Sequence, residues 1–225
     1  GKHLASHGYV VVSHSNNTSP GIETASQSTL ENTDAFLANL ANLPVIGNAL
    51  EGHIDVNSIT WLGHSRGGEG VVRAYDKIVD GTFVPTNYSQ SDIKLISSIA
   101  PTDYLGPDSS TPHGANYHLW VGQADADVTG CPTDDTRQSF HLHDRAENQN
   151  GGISSVATGP CLISKADTHL MVNGYLLPLV KYHIEGDYAA RDFLTRQYES
   201  FHPIGVPISD PCVEVDLQFR DGSET

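Results

Sequence analysis

The chain has 225 residues, 38% of them hydrophobic and 17% charged, enough for one domain with a substantial core and too apolar for a disordered chain. Its 27 acidic against 12 basic residues give a formal net charge of −15, a field that repels phosphate backbones and anionic lipid and argues against a nucleic-acid partner. No apolar run approaches the ~18 residues of a membrane span, and the opening Gly1-Lys2-His3-Leu4-Ala5 has no apolar signal-peptide core.

In chain order, the short apolar run Gly8–Ser13 reads as a buried strand, followed by a polar loop from Asn16 to Gly21. From Thr29 the pattern turns helical, with Phe36, Leu37, Leu40 and Leu43 on one face and Pro44 as the stop. Ser58–Leu62 is the next strand. Gly67 to Ile78 is a helix whose apolar stripe is Val71, Val72, Tyr75 and Ile78. Strands follow at Leu95–Ala100 and Tyr117–Val121. Asp134–Asn150 is polar and partly helical, and Cys161–Ser164 is extended. Met171–Ile184, interrupted by Pro178, and Tyr188–Tyr198 close the run as helices. Strands alternating with helices predict an α/β fold, a mainly parallel, doubly wound sheet whose ligand site lies at the carboxyl ends of the strands. Past Phe201, Pro203, Pro207 and Pro211 punctuate a linker, and Val213, Val215, Leu217 and Phe219 alternate as in a half-exposed strand. The expected division is therefore a catalytic domain over 1–200, with 201–225 as a linker and the first strand of a further β-rich region.

Gly63-His64-Ser65-Arg66-Gly67 fits G-x-S-x-G. In a chain with 21 glycines the motif alone is weak, but its setting is specific. The apolar Ile59-Thr60-Trp61-Leu62 runs into it and a helix leaves it, which makes a strand–turn–helix elbow presenting Ser65 as a nucleophile. Small residues two before and two after the serine, Gly63 and Gly67, avoid clashes in the strained turn, and Gly68 lets the helix pack close. The N–H of Arg66 at the helix start would face a developing oxyanion. The bland alternative is a Gly-rich turn whose serine merely caps the helix.

A serine hydroxyl needs a base, and the base needs an orienting carboxylate. Gln123-Ala124-Asp125-Ala126-Asp127-Val128 follows a strand end, so Asp125 or Asp127 could be the acid, with Asp103 after the previous strand as a rival. Among 12 histidines, His169 stands out. It follows an extended segment and a polar turn and precedes the helix expected from Val172, and so lies in a loop at a strand's carboxyl end. The pair His141 and His143 lacks a third ligand, so no metal site is expected. Of the three cysteines, Cys131 and Cys161 would bridge the acid loop to the histidine loop, closing roughly 30 residues and contributing about 3 kcal/mol, with Cys212 the odd thiol. A disulfide suits an exported protein, as does the abundance of Asn, Gly, Ser and Thr over Lys.

The order Ser65…Asp125…His169 resembles the α/β-hydrolase superfamily, where nucleophile, acid and histidine follow one another. Gly8-Tyr9-Val10-Val11-Val12 resembles the strand one helix before the elbow, and Gly52–Ile59 the lead-in to it. Gly122-Gln123-Ala124-Asp125-Ala126-Asp127-Val128 looks like the G-x-x-D-x-x-V acid loop, and Ala166-Asp167-Thr168-His169 like the histidine loop. Over roughly residues 1–200 the chain is similar to the dienelactone hydrolase, chlorophyllase and cutinase-like polyester hydrolase branch. The resemblance implies a serine esterase without cofactor, with Asp125 as the acid at the motif position. It also implies that the strand before Gly8, and the loop donating the second oxyanion N–H, are missing here, so the chain is expected to be an incomplete catalytic unit that upstream sequence would restore. Arg66 departs from the smaller residue of many relatives; it either favours anionic substrates or pairs with Glu69. Tyr104 either lines the acyl pocket or packs.

The function expected is acyl transfer on a small-molecule or polymeric carboxylic ester: Ser65 attacks, His169 moves the proton, Asp125 orients it, and the Arg66 N–H holds the oxyanion. A peptidase or amidase on the same fold, and a catalytically weak binding module, are the alternatives.

Overall fold

The computed structural model describes residues 1–15, 21–122, 142, 145–146, 148–155, 164–195 and 215–218, with 148–155 and 215–218 described as backbone. A five-stranded sheet runs in the order β1 (Ile59–His64), β2 (Ile93–Ile99), β3 (Asn116–Gly122), β4 (Asn148–Ser155) and β5 (Val215–Gln218). The first four are mutually parallel, and β5 pairs antiparallel with β4, Leu217 opposite Ile153. Parallel neighbours require crossovers. The helix α3 (Arg66–Val79) joins β1 to β2.

Both faces of the sheet are covered, as the doubly wound reading predicts. Strand periodicity divides β3 cleanly: Tyr117 and Leu119 enter one core, Trp120 the other. On the first face lie α2 (Ile22–Ala38) and α3, contributing Leu30, Val71, Val72 and Tyr75 to a core with Trp61 and Ile96. The two helices approach closely because Gly70 has no side chain; a Cβ there would stand 2.6 Å from that of Ala25. On the second face α4 (Lys165–Val180) and α5 (Tyr188–Thr195) bring Tyr175, Leu176, Leu179 and Leu194 against Leu95 and Trp120. A short helix α1 (Lys2–Ala5) and the following Tyr9 lean on this second core through Leu4 and the Tyr9 ring.

Several sequence expectations are corrected. Gly8–Ser13 forms no strand: Val10, Val11 and Val12 are exposed, and among the described residues nothing pairs with them. An apolar run becomes a strand only with a hydrogen-bonded neighbour, and this sheet starts at β1. Helix α2 begins at Ile22 rather than Thr29 and buries Ile22, Ala25 and Leu30. The polar segment ending at Asn150 contains the start of a strand, β4. Helix α4 begins at Lys165, not near Val172, and runs past Pro178 into a π-helical turn at Lys181–Glu185. Cys131, Cys161 and Cys212, and with them the expected bridge, lie outside the described residues, as do His141 and His143. Among the described residues no helix is long and apolar enough to cross a membrane, and no group of three or more His, Cys, Asp or Glu is placed to hold a metal.

Polar anchors tie α2 to its surroundings. Glu23 receives Lys77 at 2.6 Å and Arg73 at 3.0 Å. Asp34 accepts the backbone N–H groups of Thr86 and Asn87 at 3.0 and 2.7 Å. Burial raises the pKa of each carboxyl, but the cationic partners of Glu23 and the N–H donors of Asp34 outweigh it, and both pKa values fall below their ordinary range. A folded-state pKa below the unfolded one contributes stability present above the unfolded value and lost as pH falls through the folded one. Stability is therefore expected to decline below about pH 4, the ordinary carboxylate range. Urea midpoints at pH 7 and pH 3 check this, and Asp34→Asn should narrow the difference; an equal drop in that variant would remove Asp34 from the account.

Candidate active site

The carboxyl end of β1 delivers Ser65 into a turn with φ 56° and ψ −128°. Few non-glycine residues adopt a positive φ, and such strain concentrates at functional positions. The turn is over-determined by its neighbours. The Ser65 N–H donates to the Ile99 carbonyl of β2 at 2.9 Å, and the Ser65 carbonyl accepts from the N–H of Gly68 at 2.8 Å and of Glu69 at 3.3 Å. These bonds lock the residue between two strands and the head of α3. Gly63 is obligatory, since a Cβ there would lie 2.1 Å from the Gly67 carbonyl oxygen. Gly68 packs on Pro101, 2.9 Å from where its Cβ would be. Gly67, in contrast, faces open space, so the clash argument made for it from the motif does not hold.

The serine is half-buried, and its hydroxyl makes no capping bond to α3. That removes the helix-cap explanation for a serine at this position. Arg66, exposed, is the first residue of the 14-residue helix, where backbone N–H groups point outward at the positive end of the helix dipole.

The loop after β2 walls one side of the turn. The Thr102 N–H approaches the Ser65 carbonyl at 3.4 Å, and Tyr104, two residues on, exposes its ring. Asp103, the rival acid, is buried: Arg145 grips both its oxygens at 3.0 and 2.7 Å and also reaches the Ser110 carbonyl at 2.8 Å. Fork-to-fork pairing of this kind is among the stronger charge-assisted arrangements. The Arg66–Glu69 pair raised by the sequence does not form. Glu69 is fully buried and accepts from Thr102 Oγ1 at 2.6 Å, Tyr104 N at 2.9 Å, Leu105 N at 2.7 Å and Ser110 Oγ at 3.2 Å. Sequence reasoning missed this role because the donors arrive from another element.

His169 is exposed and sits inside α4 rather than in a loop. The helix reaches back past it because the Ser164 hydroxyl accepts the Asp167 N–H at 3.1 Å as a cap. Among the described residues no hydrogen bond links His169 to Ser65. Asp125 and Asp127 lie outside the described residues. Among the described residues the structure thus brings together Ser65, Arg66, Thr102 and the Tyr104 loop.

No protein-family model and no curated protein matches the chain. Among solved structures it is similar to a protein described provisionally as a cell surface hydrolase, from Lactobacillus plantarum WCFS1, at 15% identity over 78% of this chain and 70% of that one, with a TM-score of 0.37. At that identity and score the likeness bears on neither activity nor substrate.

Proposed function

We propose that the chain is a serine hydrolase of α/β-hydrolase type that cleaves carboxylic esters through an acyl-enzyme. The observation that carries this reading is the Ser65 elbow: a non-glycine residue held at φ 56° between a parallel strand and a helix, with an uncapped hydroxyl and a neighbouring glycine that tolerates no Cβ. Strain of that kind is kept where presenting a side chain matters. In the proposed reaction the Ser65 oxygen attacks the ester carbonyl and His169 takes its proton. The tetrahedral oxyanion is held in part by the Arg66 N–H at the head of α3. His169 then protonates the leaving alcohol, and water repeats the sequence to release the acid. Asp125 orients the imidazole. Tyr104 borders the acyl group. The expected setting is extracellular, and the substrate a small or polymeric ester.

Labelling with a fluorophosphonate probe, followed by peptide mapping, tests the nucleophile; a label on any residue other than Ser65, or none, overturns the reading. The acid is tested separately. Asp125→Asn is expected to lower kcat by about 10⁴-fold with the fold intact, as when a triad carboxylate leaves the wrong tautomer in place. Asp103→Asn should instead lower thermal stability, because it breaks the Arg145 fork. A rate loss in Asp103→Asn matching that of Asp125→Asn, at unchanged stability, would transfer the role to Asp103.

A further inference from the structure

Glu69 lies in the first turn of α3, four residues beyond Ser65, with none of its surface exposed. A carboxylate removed from water is costly unless each oxygen is satisfied. Here each oxygen receives two donors: Oε2 takes the Thr102 hydroxyl and the Tyr104 N–H, and Oε1 takes the Leu105 N–H and the Ser110 hydroxyl. All four come from the loop after β2. That loop has no regular structure of its own and starts at Ala100 with φ 42°. The Ser109 and Ser110 N–H groups close on the Gly106 carbonyl within the loop, whereas those of Tyr104 and Leu105 take Glu69 as their acceptor. Arg145 holds the same loop from another side through Asp103 and the Ser110 carbonyl. The loop meets the elbow at Thr102 and Ser65 and carries the exposed Tyr104 ring two residues later.

We propose that Glu69 is a positioning residue that fixes the loop of residues 101–110 against the Ser65 elbow and, through Tyr104, sets which acyl groups the serine accepts. This rests on Ser65 being the nucleophile. An aromatic ring carried on a loop anchored at the elbow favours apolar acyl groups large enough to touch it over acetyl. A ring free to move loses that discrimination, since selectivity between acyl groups is a difference in transition-state contact.

The test compares p-nitrophenyl hexanoate with p-nitrophenyl acetate in the wild type, Glu69→Gln and Thr102→Val, each normalised to the sites titrated by fluorophosphonate. Glutamine keeps the size of Glu69 but turns an NH₂ group toward two donors. Thr102→Val removes one hydroxyl donor and keeps the volume, so it reports even if Glu69→Gln does not fold. The hexanoate-to-acetate ratio of kcat/KM is expected to fall by about tenfold in Glu69→Gln, and less in Thr102→Val, mainly through KM for the longer ester. Tyr104→Ala should lower the ratio by itself, and adding Thr102→Val to it should lower the ratio no further. An unchanged ratio per titrated site in Thr102→Val or Glu69→Gln, with activity lost only in proportion to titratable protein, would mean Glu69 merely stabilises the fold and would overturn the proposal. Absence of labelling at Ser65 in the wild type would instead remove the nucleophile assignment, and this proposal with it.

Discussion

Replacing Ser65 with alanine is expected to lower ester hydrolysis by roughly 10⁴- to 10⁶-fold and to abolish fluorophosphonate labelling, with thermal stability unchanged or slightly raised. The size follows from what is removed. Without the hydroxyl no acyl-enzyme forms, and what remains is water attack helped only by binding and by the N–H donors at the head of α3. The stability expectation follows from the backbone. Ser65 sits at φ 56° with its side chain uncapped, so among the described residues alanine forfeits no capping bond, and it inherits the same strain. Kinetics on p-nitrophenyl acetate, together with a melting curve, read both quantities. A variant that keeps more than about a hundredth of wild-type activity would place the nucleophile elsewhere.

The second large effect is structural. Gly63→Ala puts a methyl group 2.1 Å from the Gly67 carbonyl oxygen, 2.5 Å from its carbon and 2.8 Å from the Gly68 nitrogen. All three are backbone atoms, so no side chain can rotate aside. Relief requires separating β1 from the first turn of α3, which also breaks the bonds around Ser65. We expect a loss of more than about 3 kcal/mol, read as a collapse of the urea midpoint or as failure to accumulate soluble protein. Gly67→Ala is the matched control. The new methyl meets nothing within 4 Å, and alanine is the better helix former by about 1 kcal/mol, so its midpoint should hold or rise. Equal damage from both substitutions would contradict the packing of the elbow.

These two neighbours show what was legible in the sequence. The elbow was readable because its causes are local: an apolar strand, a G-x-S-x-G turn and a helical stripe within twenty residues. Its details were not. Gly63 and Gly67 look equivalent in the motif, yet only the first faces backbone. Strand β4 could not be read from Asn148-Gln149-Asn150-Gly151-Gly152, which has neither apolar alternation nor β-branched residues; its pairing with β3 makes it a strand. Gly8–Ser13 failed in the opposite sense, with strand composition and no partner among the described residues. The position of His169 was misjudged because the apolar pattern starts at Met171, although Ser164-x-x-Asp167 was a readable helix start. Glu69 shows the limit most plainly: at three residues from Arg66 it invites a helical ion pair, and only the return of the chain after β2 supplies the donors it takes instead.

The parallel ladder also governs the order in which the molecule can assemble. Ile59 pairs with Ile93, Ile96 with Tyr117, and Asn116 with Asn148, so no pair of these strands can form as a hairpin. Each contact closes a long loop before any ladder bond offsets the lost chain entropy. Folding should therefore be slow. The register of β1 on β2 sets Ser65 against Ile99, so the strained turn cannot be completed before these two strands are paired. β5 pairs with β4 across a still longer stretch of chain. During synthesis on the ribosome, the β4 edge stays open until residues 215–218 emerge, and that interval is when the nascent chain is most exposed to strand exchange with its neighbours.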